Sequence, residues 1–160
     1  LNALRMDDCS KEMQEKVFKS MTTLNKYACD ILKKYDVHAL TDVTGFGLLV
    51  HLNEMLDEKN SAIIYKDSIP YFDDCKRYVE EFYLSGAAQT NRNSVEGKIY
   101  FDCDFFTEEI LFDPQTSGGL LASVSKEDLM DIKKNFIENN LELYVVGEVI
   151  DKNEYNVYVR

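Results

Sequence analysis

A single carboxylate just before a glycine loop is the first feature of this sequence that could do chemistry. Asp42 lies within residues 41–47 (TDVTGFG), which lead into an apolar stretch with helical spacing. Glycine lets backbone N–H groups approach phosphate oxygens closely, and the amino terminus of a helix favours anions. Mg²⁺ prefers one or two protein carboxylates together with water and phosphates. Asp42, Thr44, Gly45 and Gly47 are therefore candidates for a magnesium-bound phosphate site.

The same residues also have an architectural interpretation. Gly45 and Gly47 could only shape a tight turn, with Thr44 as the N-cap of the helix. Asp42 could only accept hydrogen bonds from nearby loop amides. Residue types and spacing leave both interpretations open.

A second motif, DPQTSGG at residues 113–119, precedes the apolar run LLASV at 120–124. It combines a proline-stiffened turn, two hydroxyls and a glycine pair with a strand that we expect to be buried. The glycines could let a ligand approach, but close backbone packing and satisfied turn amides are the simpler explanation. From the residues alone, we favour the structural interpretation for this motif. Its candidate binding residues are Thr116, Ser117, Gly118 and Gly119.

The remaining polar candidates are two histidines and a polar cluster. His38 and His51 flank the first motif, but neither has a carboxylate or second histidine at metal-ligand spacing, so we expect packing or solvent contact for both. Arg92 could contact a phosphate from a mobile loop. We nevertheless expect residues 86–97 to be an ordinary exposed loop.

Composition limits the classes of function. Net charge is -11, with 29 acidic against 18 basic residues, which gives no electrostatic footprint for nucleic acid or an anionic membrane. No apolar run approaches the roughly 20 residues that span a bilayer, so we expect a cytoplasmic protein. The four cysteines form no C-x-x-C pair and are expected to be reduced. Acidic neighbours should disfavour a thiolate at Cys103.

Hydrophobic spacing predicts how these motifs are positioned. The 45% of hydrophobic residues suffice for one domain over residues 1–160. We predict α+β class, a three-layer sandwich of helices around a mixed β-sheet. The expected helices are a long one over 10–34, one after Gly47, one opening at Ile69-Pro70, and one capped by Ser125 and Asp128. The expected strands cover residues 35–40, 62–65, 99–101, 120–124, 143–150 and 155–159.

The two motifs together resemble the carboxy-terminal domain of the selenophosphate synthetases (selenide, water dikinases). The matching segments are HALTDVTGFGLL at 38–49 and DPQTSGGLL at 113–121, supported by residues 20–28, 86–93 and 146–149. The resemblance covers nearly the whole chain. The wider superfamily includes aminoimidazole ribonucleotide synthetase and shares the fold.

The resemblance implies a reaction of ATP, selenide and water to give selenophosphate, AMP and phosphate, with Mg²⁺ holding the phosphates. It implies that Asp42 is a magnesium ligand and that Thr44, Gly45 and Gly47 approach the nucleotide phosphates. For residues 116–119 the family match is clear, but it does not decide between ligand contact and site shape.

Two departures from the family pattern bear on these expectations. Val50 replaces a common glycine, and the chain starts at Leu1 without the amino-terminal half that carries the nucleophile and most of the dimer interface in the family. We therefore expect the carboxy-terminal half of a longer, homodimeric enzyme, inactive alone. The alternatives are a non-catalytic acidic docking domain, or the same superfamily with another substrate.

Overall fold

A computed structural model describes all residues, 1–160, and confirms the α+β class. None of the helices has both the length and the hydropathy that a membrane-spanning helix requires. The helices are α1 (Asn2–Arg5), α2 (Lys11–Thr22), α3 (Lys26–Leu32), α4 (Gly47–Met55), α5 (Cys75–Glu80), α6 (Gly86–Ser94), α7 (Phe105–Phe112) and α8 (Leu129–Glu138). The strands are β1 (Val37–Asp42), β2 (Asn60–Ile64), β3 (Ile99–Phe101), β4 (Leu120–Val124), β5 (Gly147–Asp151) and β6 (Val157–Val159).

The strands form two sheets where one mixed sheet was expected. β1 and β4 make an antiparallel two-stranded sheet. The other strands make a mixed sheet in the order β3-β6-β2-β5, in which β2 pairs antiparallel with β5 and parallel with β6. The chain segments before and after the turn at 151–154 are therefore not a hairpin, because β2 separates β5 from β6.

Each sheet has its own hydrophobic core. The larger core contains 14 buried residues from the four-stranded sheet, from α4, α6 and α7, and from the loop-bearing ends of β1 and β4. The smaller core is made where α3 and α8 cover one face of β1 and β4, with Ile31, Leu32, Ile132 and Phe136 buried. Val43 and Leu121 belong to the larger core, so this end of the two-stranded sheet is anchored to the rest of the domain.

The predicted long helix over residues 10–34 is wrong, because the chain breaks it into α2 and α3. The hydroxyls of Thr22 and Thr23 donate to the carbonyls of Phe18 and Lys19 at 2.8 and 2.7 Å. Side-chain hydroxyls that bond backbone carbonyls compete with helix continuation, and Thr23 is extended. The apolar spacing continues across the break, which is why it suggested one element.

The segment expected to be an exposed loop, residues 86–97, is mostly helix α6. Ser85 is its N-cap, and the Ser85 hydroxyl accepts a hydrogen bond from Ala87 N. Ala88 and Asn91 are buried, while the rest of the helix is polar. Only a narrow face of the helix is buried, and one residue of that face is an asparagine. The sequence pattern therefore resembles that of a loop.

Two predicted helix starts are also wrong. Ile69 is extended, as expected for a residue that precedes a proline, so α5 begins only at Cys75. Helix α8 begins at Leu129 with Asp128 as N-cap and no side-chain cap. The hydroxyl of Ser125 instead lies 3.3 Å from His38 Nε2, so the capping box does not form.

All four cysteines are free, as expected. Burial, followed by the nearby Glu108 and Asp104 carboxylates, raises the pKa of Cys103 to about 11. The Cys103 thiol is therefore not an activated nucleophile.

Candidate functional site

The pairing of β1 with β4 brings the two motifs to the same place. β1 ends at Asp42 and β4 begins at Leu120, and these two residues are register partners. Because the strands are antiparallel, the chain leaving β1 and the chain entering β4 meet at the same end of the two-stranded sheet. We call this end the edge of the β1–β4 sheet. We call residues 43–47 the first loop and residues 113–119 the second loop. Val43 N donates to Gly119 O at 2.9 Å and continues the ladder into both loops.

Hydrogen bonds and close packing hold the two loops together. Gln115 N donates to Thr44 O at 3.0 Å. A Cβ on Gly118 would lie 2.3 Å from Val43 O, so the loop backbones touch where Gly118 has only hydrogens. Asn25, at the break between α2 and α3, donates its amide to Gly118 O at 2.9 Å. The helix break that the spacing concealed therefore supports the second loop.

The four candidate glycines divide into two packed and two open positions. Gly47 has φ +74°, and a Cβ there would meet the Phe112 carbonyl at 2.9 Å. Such a φ is strained for residues other than glycine. A Cβ on Gly45 or Gly119 would have no atom within 4 Å. Gly47 and Gly118 therefore shape the loops, whereas Gly45 and Gly119 leave space open beside them.

Asn91 on α6 connects the first loop to the start of the second. Its side chain is 4% exposed, and its Nδ2 donates to Gly45 O at 2.9 Å and to Phe112 O at 3.1 Å. The two N–H bonds of one amide thus hold two separate chain segments. Residue types alone do not predict this role. The spacing of Ala88, Asn91 and Val95 was the available signal, since it places all three on one helical face.

Arg92 is not a free phosphate ligand in this structure. Its guanidinium pairs with the Glu109 carboxylate at 2.6 Å and lies 3.6 Å from the Glu108 carboxylate. It also stacks over the Phe112 ring, 5.0 Å from the centroid. Through these contacts Arg92 links α6 to α7.

His51 is buried, as expected, but it contacts a candidate site residue. Its Nε2 lies 3.0 Å from Thr44 Oγ1. His38 is exposed and lies near Ser125 and Asp36, away from the first loop. The two histidines that looked equivalent in the sequence therefore have different surroundings.

Both loops carry backbone amides without an acceptor in the chain. The amides of Thr44, Gly45 and Phe46 donate no hydrogen bond, and neither do those of residues 116–119. Ser117 has φ +52°, an uncommon conformation for a residue with a side chain. Neighbouring N–H groups in turns and at helix starts form anion-binding concavities. The loops thus present donors suited to phosphate oxygens.

Carboxylates around these loops are sparse. Asp42 is exposed at the end of β1, and no group of three or more His, Cys, Asp or Glu side chains is placed to hold a metal ion. Burial raises the pKa of Asp113, at the start of the second loop. One exposed carboxylate fits a magnesium ion that takes its other ligands from phosphates, water and further protein groups. It does not make a self-contained metal site.

A family model and several known proteins are similar to this chain over nearly its whole length. The family model described as AIR synthase related protein, C-terminal domain, matches residues 3–160. The chain is 41% identical to a selenide, water dikinase of Agathobacter rectalis over 99% of this chain and 47% of that protein. It is 35% identical to one from Desulfitobacterium hafniense, and 32% identical to one from Campylobacter jejuni, over 97% and 98% of this chain and 46% of each of those proteins. The chain spans about half the length of these relatives.

Proposed function

Because this chain belongs to the AIR synthase related family through its C-terminal domain, we propose that it is the carboxy-terminal half of a selenide, water dikinase. In this proposal the longer protein converts ATP, selenide and water into selenophosphate, AMP and phosphate. The two loops bind the phosphates of magnesium-bound ATP. The names of the relatives support the activity, and the geometry of the loops supports the role of this half.

The observation that carries the proposal is the meeting of the two loops at one edge of the β1–β4 sheet. Their amides lack acceptors in the chain, and Asp42 lies at the same edge. The domain is strongly acidic, so phosphate binding has to rely on backbone donors and a cation. The arrangement offers the loop amides as donors and the Asp42 carboxylate as a group that could hold a cation.

Each part of the edge has a distinct task in this proposal. The Asp42 carboxylate holds and orients a cation, while the open positions at Gly45 and Gly119 admit phosphate oxygens to the loop amides. The hydroxyls of Thr116 and Ser117 are exposed and supply further polar groups. Magnesium, when bound, neutralises phosphate charge and favours phosphoryl transfer. A shell with one carboxylate from this chain needs ligands from elsewhere, so residues 1–160 alone are expected to be inactive. The longer protein is proposed to be a homodimer.

The test is selenide-dependent AMP formation by the longer protein, comparing wild type with Asp42→Asn at several magnesium concentrations. Outer partners of metal ligands typically change affinity or activity by about 10–100-fold, so loss of a ligand should cost at least about tenfold. We expect AMP formation to fall by this factor and the magnesium requirement to rise.

Asp151→Asn is the matched control, because Asp151 is an exposed carboxylate on β5 in the other sheet. Thermal unfolding of both variants should resemble that of wild type, so that any loss of activity reflects the site. Full activity in a folded Asp42→Asn protein would remove this residue from the site. Such a result would favour the alternative of a non-catalytic docking domain.

A further inference from the structure

The Thr44 hydroxyl has a specific partner inside the domain. His51 lies in α4, is 7% exposed, and places its Nε2 3.0 Å from Thr44 Oγ1. The Phe46 ring contacts the imidazole edge-on, with the ring centroids 5.7 Å apart. A buried imidazole packed in this way has little freedom to turn, so the direction of its bond to Thr44 is set by which ring nitrogen carries the proton.

The second ring nitrogen of His51 faces a carboxylate. His51 Nδ1 lies 3.4 Å from Glu54 Oε2, one helical turn further along α4; this separation is longer than an ordinary hydrogen bond, and the Glu54 side chain is 59% exposed. An ionised carboxylate only accepts hydrogen bonds and attracts a proton electrostatically, so it favours the tautomer protonated on Nδ1. Nε2 of the neutral ring is then an acceptor. In this tautomer the Thr44 hydroxyl donates to Nε2.

We infer that His51, held by its burial and by Phe46 with the Glu54 carboxylate beside its Nδ1, is a positioning residue that fixes the direction of the Thr44 hydroxyl. The hydroxyl proton of Thr44 points at His51. The Thr44 oxygen can therefore only accept hydrogen bonds from, or coordinate, a group bound beside the first loop. Thr44 then serves an electropositive partner, either a cation or a water that the cation holds, and does not donate to a phosphate oxygen. This inference rests on the proposed function for its consequence in ATP binding, but the proton arrangement is a property of the chain itself.

The proton arrangement can be measured without nucleotide. Long-range ¹H–¹⁵N NMR of the imidazole nitrogens distinguishes the two neutral tautomers from the imidazolium. The chain has two histidines, and His38→Gln, at an exposed position, assigns the remaining signal to His51. We expect the ring proton of His51 to be on Nδ1, with Nε2 bare. A proton on Nε2, in either the other tautomer or the imidazolium, overturns the inference.

Variants in the longer protein test the consequence for function. His51→Phe keeps the aromatic contact with Phe46 but removes the acceptor, and we expect KM for magnesium-bound ATP to rise about tenfold, the equivalent of one hydrogen bond. His51→Gln places an amide oxygen near the position of Nε2 and should restore most of that loss. If His51 has only a structural role, KM for magnesium-bound ATP should be no lower in His51→Gln than in His51→Phe.

A double variant separates positioning from stability. In a Thr44→Val background, which has no hydroxyl to orient, His51→Phe should raise KM no further. Additive effects of the two changes would contradict the inference. Failure of the proposed function is recognisable independently, because it appears as full activity of Asp42→Asn, whereas the tautomer of His51 is measured without ATP.

Discussion

Each of the two loops contains one packed glycine and one open glycine. In the first loop Gly47 lies against the Phe112 carbonyl, while Gly45 has free space beside it. In the second loop Gly118 lies against Val43 O, while Gly119 is open. Glycines that look alike in the sequence therefore have two different physical roles. One member of each pair lets the backbones touch, and the other leaves room next to unpaired amides.

This difference reconciles the two interpretations that the sequence left open. The architectural interpretation describes Gly47 and Gly118, where backbone fills the space that a Cβ would need. The binding roles of all four glycines stay predictions, and Gly45 and Gly119 are the positions with open space beside them. Changes at packed positions should therefore act mainly on stability, and changes at open positions mainly on ligand binding.

The largest expected effect is at the contact between the loops. Gly118→Ala puts a Cβ 2.3 Å from a backbone oxygen that the β1–β4 ladder holds in place, and should destabilise the domain by about 3 kcal/mol. Urea unfolding at 25 °C measures the change. Gly119→Ala is the matched control and should stay within about 0.5 kcal/mol of wild type. Equal costs at the two positions would break the distinction between packed and open glycines.

The second effect concerns the first loop. Gly47→Ala combines a φ of +74° with a 2.9 Å approach to the Phe112 carbonyl. The left-handed conformation alone costs other residues about 1–2 kcal/mol, so we expect a loss of about 2 kcal/mol in the free energy of unfolding. Gly45→Ala should leave the free energy of unfolding nearly unchanged and instead weaken binding of magnesium-bound ATP by the longer protein. If Gly45→Ala destabilised the fold as much, the position would not be open.

The third effect concerns Asn91, whose side-chain amide connects the first loop to the end of α7. Substituting it tests whether these hydrogen bonds hold the loop in place. Asn91→Leu keeps the branched shape and the number of side-chain heavy atoms but removes both donors, leaving the carbonyls of Gly45 and Phe112 without them. We expect a loss of about 1–2 kcal/mol in chemical denaturation, since water can reach Gly45 but not the buried Phe112. Asn93→Ala, on the exposed side of the same helix, provides the control. An unchanged stability of Asn91→Leu would mean that the amide does not hold the loops.

The smallest expected effect comes from Asp113, which opens the second loop. Burial raises its pKa, so the folded chain binds this proton more readily than the unfolded chain does. Its contribution to stability is therefore present at low pH and is lost as pH rises through the raised pKa. Asp113→Asn should be slightly more stable than wild type at pH 7, and the difference should disappear toward pH 3. A gain that is constant with pH, or a loss at pH 7, would contradict this sign.

Local sequence signals predicted the elements next to the two loops well. The strand at 120–124 and the helix after Gly47 are confirmed, because apolar runs, apolar spacing and glycine positions are local properties of the chain. The expected burial of that strand is wrong, since only Leu121 is buried. The same signals gave wrong predictions where the local structure depends on contacts with residues far away in the sequence. The break between α2 and α3 supports Gly118 through Asn25, and α6 buries Asn91 against carbonyls 21 and 46 residues away.

The candidate site could be assembled from the sequence only in part. Both loops were identified, but their meeting depends on the β1–β4 register, which no local pattern specifies. The division of the glycines depends on which backbone atoms approach them, and the role of His51 depends on its contact with Thr44. The binding roles proposed for residues 44–47 and 116–119, and the metal role of Asp42, stay predictions.

Hydrogen exchange in the longer protein tests the central claim most directly. The amides of residues 44–46 and 116–119 donate to no acceptor in the chain, so rapid-labelling mass spectrometry should show fast exchange without ligand. Saturation with magnesium and a non-hydrolysable ATP analogue should slow exchange in both loops together and leave β5 unchanged. Saturated binding, verified by calorimetry, with unchanged exchange in both loops would contradict the claim that these loops hold the phosphates.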